Sequence, residues 1–173
     1  MIVLGVDPGT HRTGYAFLEY REGRLDSLVA GIPAANAGRI RVLEYGVIRC
    51  KATDPLPDRL GKIHRELSAL MVVYHPLHLA LESIFFAKFP QSALVLGHAR
   101  GAIMVAAQSH GIPVSEYAPR LVKQATVGTG SATKERVAAM VQSHLGLKRP
   151  PAPADAADAL AIAFCHLIQA GRS

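Results

Sequence analysis

Cysteine is scarce in this chain of 173 residues, which has only Cys50 and Cys165 and no closely spaced pair. A disulfide framework or a structural zinc site needs more cysteines at characteristic spacings, so both are excluded, and a reducing compartment is expected. The chain also lacks an uncharged apolar run of about 18 residues, which a transmembrane helix requires. No signal-peptide pattern is present at the start, because Asp7 and Arg12 interrupt it. These absences predict a cytoplasmic protein that does not bind membranes.

Acidic residues are also few, with 13 Asp and Glu against 19 Lys and Arg, which gives a formal charge of +6. Such a balance is common in proteins that bind polyanions, nucleic acid above all, although many soluble proteins carry a few extra lysines. Half of the residues are hydrophobic. The length and this apolar content predict one globular domain, residues 1–173, with a substantial core.

The first half of the chain has strand-like patterns separated by turn residues. Residues 31–39 are rich in Ala, Gly and Pro and predict a loop inserted near a hairpin. A meander of three antiparallel strands is the simplest interpretation of this half. The strand-like segments are residues 2–6, 13–20, 25–30 and 42–49.

In the second half, predicted helices alternate with predicted strands. The helices are residues 58–73, 92–110, 119–127, 133–145 and 155–168, and the strands are residues 77–82 and 113–117. This order predicts an α/β fold with a mixed five-stranded sheet, in which the meander is joined by two parallel strands and flanked by helices. Ligands of such sheets gather at the carboxyl ends of the strands.

Four acidic residues lie against apolar segments. Asp7 ends the first predicted strand, Glu82 ends the strand of residues 77–82, and Asp155 and Asp158 open an alanine-rich stretch. A buried charge costs free energy unless it has a partner or a metal. Carboxylates drawn together from distant parts of a chain repel one another unless cations hold them. A divalent-metal site is therefore the first hypothesis.

Each acid also has an ordinary structural explanation. Asp7 suits an Asp-Pro-Gly turn, Glu82 suits a salt bridge or a solvent-facing position, and Asp155 and Asp158 suit the first turn of a helix. Residues three apart on a helix share a face, so both aspartates can point at one spot. Taken together, four oxygen donors favour Mg²⁺ or Mn²⁺. A two-metal site of this kind activates water and stabilises the leaving oxygen of a phosphodiester.

Five motifs occur in order over nearly the whole chain, at residues 4–15, 81–88, 92–101, 122–134 and 154–160. Together they resemble the RuvC family of Holliday-junction resolvases. In that family they correspond, in this order, to the first catalytic segment, the second catalytic segment, the central helix, the basic DNA-contact region and the final motif. The resemblance implies a ribonuclease H-like fold and a homodimer that cuts four-way DNA junctions by paired symmetric nicks in recombination and repair. It also implies two Mg²⁺ or Mn²⁺ ions per site and work alongside the RuvA–RuvB branch-migration complex.

The family's functional residues can be carried over one by one. Its base-contacting aromatic residue falls on Phe85, and its basic DNA-handling residues fall on Lys123 and Lys134. Its catalytic and metal-binding carboxylates fall on Asp7, Glu82, Asp155 and Asp158. The residue patterns alone leave Phe85 open between base stacking and core packing, and Lys134 open between a phosphate contact and a solvated lysine.

Two departures from the family pattern are the insertion at residues 31–39 and the sequence Phe89-Pro90-Gln91 close to Phe85. The insertion either contacts DNA or a partner or is inert, and the cleavage-sequence preference is not carried over. Two neighbouring histidines, His75 and His78, lack further metal ligands nearby and are interpreted as structural. The small residues of the segment 92–110 suit either core packing or a dimer interface.

Three other functions remain open from the residue patterns. The segment around Asp7 resembles the first phosphate loop of actin-like and sugar-kinase-like ATPases, but those enzymes need a second domain for which 173 residues leave no room. A single-domain RNA-processing nuclease of the same fold is a closer alternative. The region from Lys123 to Lys134 is the evidence that distinguishes it from a junction resolvase. A catalytically silent DNA-binding module is the third, and the intact set of carboxylates disfavours it.

Overall fold

A computed structural model describes residues 1–21, 27–28, 30–36, 38–83 and 90–171. The strands are β1 (Ile2–Asp7), β2 (Arg12–Tyr20), β3 (Ile40–Arg49), β4 (His78–Glu82) and β5 (Val114–Tyr117). The helices are α1 (Pro33–Asn36), α2 (Leu56–Tyr74), α3 (Pro90–Ser109), α4 (Pro119–Val127), α5 (Lys134–Leu145) and α6 (Ala154–Ala170). Within these described ranges, no helix combines the length and apolar character that crossing a bilayer would need.

The five strands form one mixed sheet in the order β3-β2-β1-β4-β5. β2 pairs antiparallel with both β1 and β3, whereas β4 runs parallel to β1 and to β5. The predicted three-stranded meander joined by two parallel strands is therefore confirmed. Val6 is paired with Leu81, so β1 and β4 end side by side, and Asp7 and Glu82 lie at neighbouring carboxyl ends.

Alternation along the strands divides the core into two layers. Val3 and Ala80 face α4, α5 and α6, while Leu4, Leu79 and Leu81 face α2 and α3. Nearly every residue of α6 from Ala156 onward is buried, because this helix lies centrally over the sheet. Asp7 lies two and four residues beyond Gly5 and Val3, so strand alternation directs its side chain to the α6 face as well.

Two glycines allow α6 to lie very close to the sheet. A Cβ atom added at Gly5 would lie 2.6 Å from the backbone nitrogen of Ala163, and one at Gly14 would collide with the backbone of Asp155. Glycine inside a strand often marks such a close approach of another backbone. The contact at Gly14 holds the first turn of α6 beside the end of β1, where Asp7 is paired with Gly14.

Two expectations for the first half were wrong. In the segment 25–30, the structure describes residues 27, 28 and 30, and none of them is in a strand. Leu28 is buried in the core from a non-strand segment, so its apolar character reflects packing rather than sheet pairing. The insertion is not only a loop, since it contains α1. Asn36 is fully buried and its side-chain amide lies 3.0 Å from Nδ1 of His144 in α5.

Candidate active site

Three of the four predicted carboxylates line one cleft of about 220 Å³. Asp7 and Glu82 come from the ends of β1 and β4, and Asp158 comes from the first turns of α6. Lys123 of α4 and Lys134 of α5 line the same cleft. The opening at the carboxyl ends of parallel strands is where a mixed α/β sheet is expected to bind its ligand.

Asp155 has a different environment from the other three acids. Its Oδ2 atom lies 2.8 Å from Nε of Arg12, at the start of β2. Its charge nevertheless contributes to raising the pKa of Asp7. The structure therefore brings Asp7, Glu82 and Asp158 into one cleft and holds Asp155 at the edge of the cluster, in an ion pair.

Burial and mutual repulsion make Asp7 and Glu82 reluctant to ionise. Burial, followed by the charges of Glu82 and Asp158, raises the pKa of Asp7 from 3.8 to about 7, against a lowering effect of Lys134. Burial and then Asp158 likewise raise the pKa of Glu82. A carboxylate with a raised pKa binds a proton readily. A metal cation can take the place of that proton.

Lys134 supplies a positive charge among these acids. Its Nζ atom donates to Oδ2 of Asp158 at 2.8 Å, and this hydrogen bond is the main cause that raises the pKa of Lys134. Its position follows from the helix start, because Thr133 precedes α5 and its hydroxyl accepts from the backbone N–H of Arg136 at 3.3 Å. Its side chain is 74% exposed, so it can also meet a ligand that enters from solvent.

The donor chemistry of the cleft fits a hard divalent cation. Its acids present only carboxylate oxygens, the ligand type that Mg²⁺ and Mn²⁺ prefer. Glu82 and Asp158 each raise the pKa of Asp7 by more than Lys134 lowers it, so Lys134 does not fully offset the repulsion between the acids. Across the residues with described coordinates, no group of three Asp, Glu, His or Cys side chains forms a ready-made metal cage, and the ion pairs of Asp155 and Asp158 use basic side chains instead.

The two histidines singled out in the sequence lie outside this cleft. Phe85 and the neighbouring Phe89 belong to a segment outside the described residues, so base contact by Phe85 stays a prediction. His75 ends α2 in a left-handed conformation, with φ of 46°. His78 begins β4, and its ring centre lies 4.9 Å from that of buried His166. The structural role of both histidines stays a prediction.

Sequence reasoning missed two arginines that contact the site. Arg12 pairs with Asp155, and Arg100 of α3 donates to the backbone oxygen of Glu82. For Arg100 a signal was available, since a charged residue stands between Ala99 and Gly101 in a mostly apolar segment. For Arg12 there was none, because an arginine at the start of a strand is usually solvated.

Comparisons with known proteins agree with this geometry. A family model described as "Crossover junction endodeoxyribonuclease RuvC" matches residues 29–166. A RuvC from Marinobacter nauticus is 48% identical over 165 residues, 95% of this chain and 85% of the relative. One from Syntrophomonas wolfei is 44% identical over 167 residues, 96% of this chain and 88% of the relative.

The solved structures include RuvC of Thermus thermophilus in complex with its Holliday junction substrate. This chain is similar to it with a TM-score of 0.87 and 36% identity, over 99% of this chain and 96% of that one. The yeast mitochondrial resolvase Ydc2 is similar with a TM-score of 0.65 and 15% identity, over 98% of this chain and 79% of the other. At that identity the likeness to Ydc2 concerns the fold alone.

Proposed function

The chain belongs to the RuvC family of crossover junction endodeoxyribonucleases, and from that premise we propose that it cuts DNA in the cleft between β1, β4 and α6. It is an endonuclease that resolves four-way DNA junctions, and an RNA-processing role is not favoured. The observation that carries the location is the convergence of Asp7, Glu82 and Asp158 between two lysines. Acids from three elements have no evident structural reason to meet there.

The family is metal-dependent, and the residues of the cleft that would hold the cations are Asp7, Glu82 and Asp158, with Asp155 beside them. Mg²⁺ or Mn²⁺, with two ions per site, would supply an activated water and stabilisation of the leaving oxygen. Asp7 is close enough to the other three acids for the charge of each to raise its pKa. It would therefore share with them in holding the cations.

Lys123 and Lys134 bind the phosphate groups that flank the cut. Both lysines line the cleft, and a basic side chain beside a cluster of acids keeps a polyanion from being repelled. Lys134 exchanges its contact with Asp158 for a phosphate oxygen when DNA enters. Phe85 stacks on an unpaired base at the junction centre, a contact whose usual stabilisation is about 1–3 kcal/mol.

The chain acts as one domain, residues 1–173, and as a homodimer, whose two-fold symmetry matches the paired symmetric nicks that resolution requires. The exposed side of α3 supports such a contact: Leu94 is 65% exposed and Val105 58% exposed, and a Cβ added at Gly97 or Gly101 would meet nothing within 4 Å. The homodimer works in the cytoplasm, where its DNA lies, alongside the RuvA–RuvB complex.

The test is a cleavage assay on synthetic four-way junctions, on linear duplexes of the same sequences and on structured RNA, with and without Mg²⁺ or Mn²⁺. We expect paired symmetric nicks in the junctions alone, and only with a metal. A panel of junction-core sequences in the same assay measures the sequence preference. Cleavage of RNA in preference to junctions would contradict the proposal.

A further inference from the structure

Arg100 is a charged side chain inside an apolar layer. It is 7% exposed, and its helix neighbours Ala99 and Ile103 are fully buried. Removing a guanidinium from water costs free energy that only well-formed hydrogen bonds and ion pairs offset. The groups that Arg100 contacts therefore indicate the role of this buried side chain.

Both partners of Arg100 lie at the carboxyl ends of strands. Its Nη1 atom donates to the backbone oxygen of Glu82, and its Nη2 atom lies 2.9 Å from Oε2 of Glu116. The two strands are neighbours at this point, because Leu81 is paired with Glu116. One side chain from α3 thus connects the helix to the ends of both β4 and β5.

Arg100 contacts Glu82 from the sheet face opposite the cleft. Arg100 belongs to α3, on the sheet face opposite α6, whereas the Glu82 carboxylate lines the cleft beneath α6. The contact is to the main chain, at the last residue of a five-residue strand. A rotation of that peptide would swing the whole Glu82 side chain, and a reacting group has to be held to about 0.5 Å.

We propose that Arg100 is a positioning residue for the cutting centre: by hydrogen bonding to the Glu82 main chain, it fixes the direction in which that carboxylate enters the cleft. This inference rests on the proposed role of Glu82. Arginine suits the task better than lysine, because its planar fork reaches two acceptors at once in fixed directions. The Glu116 contact orients the fork and neutralises its charge.

The experiment compares Arg100→Gln, Arg100→Lys, Glu116→Gln and Glu82→Gln with Ile103→Ala. Ile103→Ala is the matched control, since Ile103 is a fully buried residue of the same helix and its truncation lowers stability. Four quantities are measured on each full-length protein: the melting temperature, junction affinity without metal, the single-turnover cleavage rate, and the affinity for Mn²⁺ without DNA by electron paramagnetic resonance. Cleavage is assayed at a temperature where all variants are folded.

We expect Arg100→Gln to lower the cleavage rate and the Mn²⁺ affinity by about 10- to 100-fold each, the usual effect of losing a group that orients a metal-binding residue. Junction affinity without metal should not change. Arg100→Lys should recover part of the rate, because an ammonium makes one of the two contacts. Glu116→Gln should lose less than Arg100→Gln, since the Glu82 contact remains. Ile103→Ala should have a lower melting temperature, with its junction affinity, cleavage rate and Mn²⁺ affinity unchanged.

Two results would overturn the inference. One is Arg100→Gln behaving like Ile103→Ala, with lower stability and unchanged rate and Mn²⁺ affinity. The other, which counts even if Arg100→Gln does not fold, is a wild-type rate in Arg100→Lys, because a buried charge would then suffice. Normal cleavage by Glu82→Gln would instead refute the proposed role of Glu82, so the two failures are distinguishable.

Discussion

At the scale of single residues, Asp7 lies in an environment that disfavours its ionised form. Its pKa is raised from 3.8 to about 7, chiefly by burial and then by Glu82 and Asp158. The folded protein therefore holds this proton more tightly than the unfolded chain does. Such stabilisation is fully present below the unfolded pKa and is lost as pH rises through the folded pKa.

The metal-free protein should accordingly become less stable between about pH 4 and pH 7, with a contribution from Asp7 on the order of 4 kcal/mol. Asp7→Asn should remove that contribution and flatten the pH dependence, because the amide is neutral throughout. The measurement is urea unfolding of both proteins across this range in the presence of a chelator. Equal slopes for the two proteins would show that Asp7 is ordinary in its pKa.

The sequence identified the acidic residues of the candidate site, but it did not predict which side chains surround them. Asp7 and Glu82 were identifiable because each ends an apolar strand, and strand order then brings them side by side. The ion pair of Asp155 with Arg12 was not predictable, since it depends on how closely α6 approaches β2. That approach is set by the absence of a side chain at Gly14.

At the scale of elements, the packing of α6 on β1 determines the shape of the site. Gly5→Ala should lower the free energy of unfolding by about 1–3 kcal/mol, the usual cost of overpacking, because the new methyl group would meet Ala159 and Ala163. Cleavage should fall too, since α6 carries Asp155 and Asp158. Both are measured by urea unfolding and by junction cleavage at a temperature where the variant is folded.

Gly61→Ala in α2 is the matched control for this substitution. Its new methyl group would meet only the flexible end of Arg65, at 3.0 Å, and alanine is the better helix former by about 1 kcal/mol. We expect unchanged cleavage and equal or greater stability. Equal behaviour of the two alanine variants would contradict the claim that α6 needs Gly5.

The insertion gives a second prediction at this scale. Asn36 contacts Nδ1 of His144, whose Nε2 lies 2.7 Å from the backbone oxygen of Thr126. Asn36→Ala should cost about 1–3 kcal/mol of stability, because it removes a donor from a buried ring nitrogen. Junction binding and cleavage should not change if α1 has only a structural role. Unchanged stability with altered junction binding would show instead that the insertion contacts DNA.

The periodicity of the sequence located the described helices and strands well, except around residues 25–36. Alternating strands and amphipathic helices have distinct periods, so five strands and the long helices were predictable. Leu28 is buried without pairing in the sheet, and local pattern cannot distinguish the two situations. α1 has only four residues, too few for a helical period to be visible.

At the scale of the whole molecule, the chain combines a net charge of +6 with a cleft lined by acids. In the proposed function, the net positive charge attracts DNA over a distance, while the acids would hold the cations that cutting needs. Two such clefts have to act on one junction, which is why the proposed dimer matters. The interface cannot be deduced from the sequence, because apolar helix residues that face a partner have the same pattern as those that face the core.

Val105→Asp should therefore shift the protein towards monomer and abolish paired nicking, because a charge in the centre of an apolar interface is strongly unfavourable. The measurement is light scattering coupled to size-exclusion chromatography, with a junction assay that separates single from paired nicks. Ile32→Asp, at a residue 52% exposed outside α3, is the control and should remain dimeric. A dimer that survives Val105→Asp would place the interface elsewhere.

The cleft around Asp7 is the proposed place where the junction is cut. Asp7→Asn tests it most directly, in one experiment that measures both junction binding without divalent metal and junction cleavage with Mg²⁺ or Mn²⁺. We predict that binding persists, because Lys123 and Lys134 are intact, and that cleavage falls below detection, because the acid at the centre of the cluster is lost. Cleavage that survives in Asp7→Asn would show that the junction is not cut in this cleft.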